Sequence, residues 1–228
     1  MINFALCFLA YGDEHIIEFN IISKQLLLSN PDVHIFVLTD DKSKIDNSLI
    51  TIIETQEEFN FNLKRYVIEE ALKSYDTIVL LDTDIKILNN TFSSLSDITS
   101  DGMYVKWIDN RLTHNGIRLD VSNNSYSVEL TKFNKTKLPI RFIPEYCVVL
   151  RLSDLTTKNK FIENWNYIYT NTKHIQPKDR HYGLSGAIEG CIMYVSCLNS
   201  NIPIVHSNNK LFDSITHYAS IDFKNTLI

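Results

Sequence analysis

Residues 1–90 alternate between short apolar runs and amphipathic segments, and this alternation limits the possible fold more than any other feature. Apolar runs with the length of strands are residues 2–10 (INFALCFLA), 33–39 (VHIFVLT), 49–54 (LITIIE) and 77–81 (TIVLL). Helical spacing fills the gaps at residues 15–29 and about 61–74. Buried strands separated by helices predict an α/β protein, with a mainly parallel, Rossmann-like sheet that has helices on both faces.

Residues 91–228 are less regular, and we interpret them as an elaborated, irregular second half of the same domain. The elements predicted there are a strand at 103–108, an extended segment at 140–152, helices at 153–170 and about 186–199, and a last strand at 202–206. Residues 109–137 are rich in Asn, Ser, Thr and Lys, which predicts loops with a weak hairpin. Pro144 suggests an edge strand or a bulge. The sequence shows no repeat or linker and predicts a single domain over residues 1–228.

Composition argues against several classes of protein. A net charge of -5 at pH 7 argues against broad binding of nucleic acid through its phosphates, although a local basic patch is compatible with it. No apolar run approaches the roughly 20 residues that a membrane-spanning helix needs. The opening, MINFALCFLAYGDEH, has no positive start and soon becomes acidic, which predicts a first strand rather than a signal peptide. Cysteines without a CxxC pair favour a reducing compartment, so we expect a cytoplasmic protein.

Asp82-Thr83-Asp84, here called the DTD motif, follows the apolar run TIVLL directly. Open α/β sheets bind ligands beyond the carboxyl ends of their strands, and polar residues also follow two other predicted strands, at 11–13 (YGD) and 39–41 (TDD). Residues two apart on a strand face the same way, so Asp82 and Asp84 can present their carboxylates together. Hard cations such as Mg²⁺ and Mn²⁺ prefer oxygen ligands and often share them with substrate phosphates. The alternative is that Asp82 begins a turn and Asp84 is solvated.

The stretch NLKRYVIEEALKSYDTIVLLDTDIKIL resembles the central signature of sugar-nucleotide-dependent glycosyltransferases with the GT-A fold. In that signature a helix carrying a basic residue precedes an apolar strand that ends in DxD, and VHIFVLTD is similar to the strand end that contacts the nucleoside. Leu63-Lys64-Arg65-Tyr66 is similar to a segment of the retaining galactosyl- and N-acetylgalactosaminyltransferases, which include the blood-group transferases and small bacterial relatives. The resemblance covers residues 1–90 and only loosely the remainder.

This resemblance implies roles for particular residues. Asp82 and Asp84 would hold Mn²⁺ or Mg²⁺ against the diphosphate of the donor, with Asp84 also assigned to catalysis. Arg65 would reach the diphosphate or nearby sugar hydroxyls, with Lys64 as a helper. The alternative for Arg65 is a surface pair with Glu69. The other residues implied to contact the donor, a UDP-linked sugar, are Ala10, Tyr11 (stacked on uracil), Thr39, Asp40 and Thr83.

Glu189 is the acidic residue of interest in the second half. The stretch SGAIEGCIMYV resembles the place where these transferases carry an acid that faces the anomeric carbon or the acceptor. We predict that Glu189 lies in the first turn of its helix, where the helix dipole favours an anion. In a retaining enzyme it would be a nucleophile or stabilise positive charge, and in an inverting enzyme it would be the general base. The alternative is a helix-start residue without a catalytic role.

His206, at the end of the last predicted strand, lies where many of these transferases place a third metal ligand. The sequence departs from their pattern here, because HSNNKLFDSITHYA replaces the Gly- and Lys-rich run HxxGxxKPW, and His217 competes for the role. Lys210 is a candidate for a phosphate contact. Candidate residues for the acceptor side are Trp107, Asp109, Asn110 and Glu145.

Two other functions remain open from the sequence. A DxD after an apolar strand is also the signature of phosphohydrolases that form an aspartyl phosphate, but there the motif usually follows the first strand of the chain. A protein that binds a nucleotide sugar without turnover is the second alternative, since the second-half motifs are degenerate. The acceptor of a transferase is equally open among a glycan, a lipid-linked sugar, a protein and a modified nucleic-acid base.

Overall fold

A computed structural model describes most of the chain. The described residues are 3–46, 49–88, 91–106, 108, 111–114, 117–120, 129–143, 146–172 and 184–217. The description covers the backbone alone at residues 91, 111–114, 117–120, 184–188 and 217.

A seven-stranded sheet forms the centre of the molecule, in the order β10-β6-β9-β4-β1-β2-β3. Its strands are β1 (Phe4–Ala10), β2 (His34–Thr39), β3 (Ile50–Glu54), β4 (Thr77–Leu81), β6 (Gly102–Val105), β9 (Cys147–Arg151) and β10 (Ile204–His206). All neighbours pair in parallel except β9, which is antiparallel to both β4 and β6. The predicted α/β class with a mainly parallel sheet is confirmed.

Helices cover both faces of this sheet. The main α-helices are α1 (Asp13–Ser29), α2 (Lys64–Leu72), α3 (Leu155–Thr172), α4 (Leu184–Asn199) and the short α5 (Lys210–Asp213). Single turns of 3₁₀-helix lie at Lys42–Lys44 and Phe61–Leu63, and a longer 3₁₀ segment at Thr91–Asp97.

Successive residues of β1 belong to two different apolar layers, as the pleat of a strand requires. Leu6 and Phe8 share one layer with Phe19 of α1, whose ring centroid is 5.3 Å from that of Phe8. Cys7 and Leu9 share the other layer with apolar residues of α2, α3 and α4. Because a strand buried on both faces needs no polar positions, this arrangement explains the continuous apolar runs of the sequence.

Two small antiparallel ladders lie outside the large sheet. Strand β5 (Ile85–Ile87) pairs with β11 (Ile215–His217), and β7 (Arg111–His114) pairs with β8 (Ile117–Asp120). The second ladder confirms the hairpin predicted between residues 109 and 137. The first ladder was not predicted, and it means that β10 is not the last strand of the chain.

The structure corrects three predictions in the second half. Strand β9 is not an edge strand but lies between β4 and β6, and its consecutive buried residues 147–150 fit that interior place. Pro144, on which the edge prediction depended, lies outside the described residues. The strand predicted at 103–108 ends at Val105. Helix α4 begins at Leu184, so Glu189 lies in its second turn rather than its first.

The described residues contain no helix that is both long enough and apolar enough to cross a membrane. The four cysteines, Cys7, Cys147, Cys191 and Cys197, are free thiols and all are buried.

Candidate active site

The polar residues that follow β1, β2 and β4 meet at one edge of the sheet. Ala10, the last residue of β1, pairs with Thr39, the last residue of β2. On the other side of β1, Phe8 pairs with Leu81, the last residue of β4. Parallel strands in this register end together, so the clusters that begin at Tyr11, Asp40 and Asp82 lie side by side.

The region predicted to receive the nucleoside has a buried floor and a partly exposed rim. Ala10 and Thr39 have no exposed surface, whereas Tyr11 and Asp40 are half-buried. A ligand that binds at this edge therefore contacts Tyr11 and Asp40 first. Asp40 is fixed by a hydrogen bond from the Gly12 backbone N–H to its Oδ1, at 2.8 Å. Gly12 has a φ of 80°, which other residues rarely adopt, and this conformation turns the chain from β1 into α1.

Tyr11 is held over this edge by the loop that follows β3. Its hydroxyl donates to the backbone oxygen of Glu57 at 2.9 Å, and its ring centroid is 5.3 Å from that of Phe59. The ring is therefore oriented by the protein itself. Its predicted stacking on uracil stays a prediction.

The DTD motif lies at a bend between β4 and β5 and is held on both faces of the sheet. Because side chains alternate, Leu81 belongs to the layer of α1 and Asp82 points to the opposite side, where its Oδ1 accepts a hydrogen bond from Lys64 Nζ at 2.6 Å. Thr83 points back to the α1 side, where its hydroxyl donates to Glu18 Oε2 at 2.9 Å. The Thr83 hydroxyl thus binds the protein rather than an open site.

Lys64 is a buried cation between two carboxylates. Its side chain is 2% exposed, and besides the bond to Asp82 its Nζ lies 3.4 Å from Glu189 Oε2. Glu189 is completely buried, and neither of its oxygens has a hydrogen-bond partner among the described residues. The contact between Lys64 and Glu189 is therefore an ion pair by distance, without the geometry of a hydrogen bond. The structure brings Asp82, Lys64 and Glu189 together. The resemblance to GT-A transferases implied that these residues share one site, and no local sequence pattern predicted it.

The carboxyl group of Glu189 is held in an environment that disfavours its charge. The pKa of Glu189 is raised from 4.5 to about 8, because burial raises it by more than the positive charge of Lys64 lowers it, and the negative charge of Asp82 adds to the rise. A carboxyl group without a hydrogen bond in a buried site takes up a proton more readily than one in water.

This pKa shift predicts a dependence of stability on pH. Between pH 4.5 and about 8 the folded state binds the Glu189 proton more tightly than the unfolded chain does, so this contribution to stability is full below pH 4.5 and is lost as pH rises through about 8. The unfolding free energy of the wild type minus that of Glu189→Gln is expected to fall over this range, by at most about 1.4 kcal/mol per pH unit. Urea unfolding at several pH values measures it, with the exposed Glu163→Gln as control. A difference that does not change with pH would contradict this environment for Glu189.

Arg65 faces α3, and its contacts differ from those of Lys64. Its guanidinium carbon lies 4.0 Å from the ring centroid of Tyr66 and 4.2 Å from that of Tyr169. Nε donates to Asn166 Oδ1 at 2.9 Å, and Nη2 is 3.7 Å from Glu57 Oε2. The alternative of a surface pair is wrong, because Arg65 is 4% exposed. These contacts bind Arg65 to the protein, and its contact with a diphosphate stays a prediction.

Sequence reasoning missed two residues on the α1 side of the motif, His15 and Glu18. Glu18 is 3% exposed, and its Oε2 lies 3.0 Å from His15 Nδ1 as well as bonding Thr83. The hydrogen bond to Glu18 raises the pKa of His15, burial opposes this, and the charges of Glu18, Asp84 and Asp82 raise it further. The sequence did contain a signal, since Glu18 stands among the apolar residues of α1, where an unpaired acid is unexpected.

The two histidines that competed for a metal ligand lie in different parts of the molecule. His206 ends β10, which is three places from β4 in the order of the sheet, and its side chain is exposed. The backbone of His217 pairs with Ile85, the residue after Asp84. The acceptor-side candidates Trp107, Asp109, Asn110 and Glu145 lie outside the described residues, and Lys210 begins α5.

The donor set at the motif fits a hard divalent cation. Asp82 and Asp84 supply the carboxylate oxygens that Mg²⁺ and Mn²⁺ prefer. Within the described part of the chain, no three His, Cys, Asp or Glu side chains converge closely enough to hold a metal by themselves. A site with one or two carboxylates is typical of Mg²⁺ that is shared with substrate phosphates, so this donor set fits a cation that binds together with a nucleotide.

The chain has the GT-A fold, as the sequence resemblance predicted. Its sheet is mainly parallel with the antiparallel β9 in its interior, and the DxD motif follows the central strand β4. The chain is similar to the galactosyltransferase LgtC, solved in complex with donor and acceptor sugar analogues. The TM-score is 0.54 at 10% sequence identity, over 97% of this chain and 94% of that one. An active-site mutant of LgtC gives a TM-score of 0.50 at 10% identity, over 98% and 95% of the two chains. No protein-family model matches the sequence, and no curated protein does.

Proposed function

We propose that this protein is a glycosyltransferase that moves a sugar from a UDP-linked donor to an acceptor hydroxyl group. The observation that carries the proposal is the DTD motif at the carboxyl edge of a GT-A sheet, with the buried pair Lys64–Glu189 directly behind Asp82. The likeness to LgtC, which was solved with donor and acceptor sugar analogues, supports a nucleotide-sugar donor and a sugar acceptor.

Asp82 and Asp84 would hold Mn²⁺ or Mg²⁺ at this edge. When bound, such a cation neutralises a diphosphate and stabilises it as a leaving group. Lys64 fixes the carboxylate of Asp82 through the 2.6 Å hydrogen bond, so that this ligand does not need to be ordered when the donor binds. Tyr11 and Asp40, at the neighbouring strand ends, would contact the nucleoside.

Glu189 acts in this proposal as a positioning residue. Its carboxyl group is completely buried and contacts Lys64, so its influence on the substrate passes through that ammonium group. In the Glu189→Gln variant we therefore expect lower turnover with nearly unchanged donor affinity. This role does not depend on a helix dipole acting on Glu189 in a first turn, as the sequence had suggested. Helix α4 begins at Leu184, so Glu189 lies in its second turn.

The antiparallel ladder of β5 and β11 favours His217 over His206 as the third metal ligand. Opposed residues in such a ladder have Cα atoms about 5 Å apart, which places the backbone of His217 next to the residue that follows Asp84. We expect His217→Ala to raise the Mn²⁺ concentration that half-saturates UDP binding by about tenfold or more, and His206→Ala to leave it unchanged. Isothermal titration of UDP at a series of Mn²⁺ concentrations measures both, and the reverse order of the two effects would restore His206.

A binding screen followed by a turnover assay tests the proposed function. UDP and a panel of UDP-sugars are expected to raise the melting temperature in the presence of Mn²⁺ and not in the presence of EDTA. Release of UDP from one of these donors would then establish turnover. Phosphate release from p-nitrophenyl phosphate without any effect of UDP would favour the phosphohydrolase, and binding without turnover against a panel of acceptors would favour the silent binding protein.

A further inference from the structure

The carboxylate of Glu18 is buried between α1 and the DTD motif. It lies in the face of α1 that also buries Ile16, Phe19 and Ile22. Burial of an ionised carboxylate costs several kcal/mol unless hydrogen bonds replace water. Glu18 therefore needs its partners, and the contacts that it makes are specific.

Both partners of Glu18 converge on one oxygen. Oε2 accepts from the Thr83 hydroxyl at 2.9 Å and lies 3.0 Å from His15 Nδ1, and the same nitrogen is 3.2 Å from Thr83 Oγ1. The other oxygen, Oε1, is buried without a hydrogen-bond partner among the described residues. The three side chains thus form a closed cluster, here called the α1 cluster, of His15, Glu18 and Thr83.

Thr83 is the only residue between the two carboxylates of the motif, and it belongs to the opposite face of the sheet. Lys64 holds Asp82 on the α2 side, and Glu18 holds Thr83 on the α1 side. Two attachments on opposite faces fix a short bend far better than one, because rotation of the backbone about either attachment breaks the other. The direction in which Asp84 leaves the bend then depends on the hydrogen bond of Thr83.

We propose that the α1 cluster positions the DTD bend for its cation, so that the affinity for the cation depends on the Thr83–Glu18 hydrogen bond. This inference rests on the proposed cation site of the transferase. Groups that hydrogen-bond and orient the ligands of a metal commonly change its affinity by about 10- to 100-fold when they are removed. Glu18, His15 and Thr83 act here as positioning residues and need not touch the donor.

The substitution Thr83→Val tests the proposal, because valine keeps the shape of threonine and removes its hydroxyl. The Mn²⁺ concentration that half-saturates UDP binding is expected to rise by about tenfold or more in Thr83→Val and in Glu18→Met, which has no oxygen to accept the hydrogen bond. Thr83→Ser, which keeps the hydroxyl, is expected to bind as the wild type does. Thr156→Val, an exposed threonine of α3, is the matched control and should leave the affinity unchanged.

The other outcomes overturn either the proposed function or this inference alone. A wild type without any Mn²⁺-dependent UDP binding would overturn the proposed function, and this inference with it. Equal affinities for the wild type and Thr83→Val would overturn the inference alone. So would a lower melting temperature of Thr83→Val with its affinity retained, since that result indicates a purely structural cluster. An equal loss in Thr83→Ser and Thr83→Val would show that the hydroxyl is not responsible.

Discussion

Asp84→Asn is expected to lower turnover of a UDP-sugar by about 1000-fold and to remove the effect of Mn²⁺ on UDP binding. Asparagine keeps the size of the side chain but has no negative charge to attract a divalent cation. A bound cation contributes several kcal/mol to the stability of a departing diphosphate, and about 4 kcal/mol corresponds to a factor of 1000 in rate. Release of UDP measures the first effect, and isothermal titration with and without Mn²⁺ measures the second.

The exposed Asp32→Asn is the control for this substitution, since it removes the same charge from a surface loop far along the sequence from the motif. It is expected to change neither quantity. If Asp84→Asn bound UDP with the same dependence on Mn²⁺ as the wild type, the cation would lie elsewhere, and the assignment of the DTD motif would be wrong.

Lys64→Met is expected to be the most destabilising single substitution in the site. It leaves Asp82 without its 2.6 Å hydrogen bond and leaves the completely buried Glu189 without a positive neighbour. Removal of one partner from a buried ion pair costs about 3–5 kcal/mol, because the remaining charge stays buried without compensation. This cost applies in full above pH 8, where Glu189 of the wild type is ionised. Urea unfolding above that pH measures the loss, and the double variant Lys64→Met/Glu189→Gln is expected to recover part of it, since glutamine carries no charge.

Lys73→Met provides the matched comparison for Lys64→Met. Lys73 follows α2 and pairs with Glu70 at the surface, where an ion pair contributes about 0–1 kcal/mol. A loss for Lys64→Met no larger than that for Lys73→Met would show that Lys64 does not compensate the buried carboxylates.

The strands and the motif were predictable from the sequence because both depend on local patterns. A strand that is buried on both faces is apolar throughout, which identified β1, β2 and β4 within a few residues. The DTD motif follows such a strand at once, so its place at the carboxyl edge needed no knowledge of distant contacts.

The choice between Lys64 and Arg65 shows what a local pattern does not determine. Adjacent residues of a helix point about 100° apart, so one of the two faces Asp82 and the other faces α3. Which one does so depends on how the 3₁₀ turn Phe61–Leu63 leads into α2, and sequence periodicity does not specify that rotation. The sequence favoured Arg65 for the diphosphate, whereas the structure places Lys64 beside the motif.

The other features that the sequence did not predict are contacts between residues that are distant along the chain. Glu18 and Thr83 are 65 residues apart, and β5 pairs with β11 from near the end of the described chain. Each of these segments is short or unremarkable alone, and only the fold brings them together.

The interior place of β9 restricts how a chain of this kind can diversify. Strand β9, from the second half of the chain, pairs with one edge of β4. A fragment that ends near residue 90 would therefore expose the unpaired backbone of β4 next to the motif. Unpaired strand edges of this kind pair readily with other chains. The hairpin of β7 and β8 pairs with no other strand among the described residues, so it can change in length without disturbing the ladders of the large sheet.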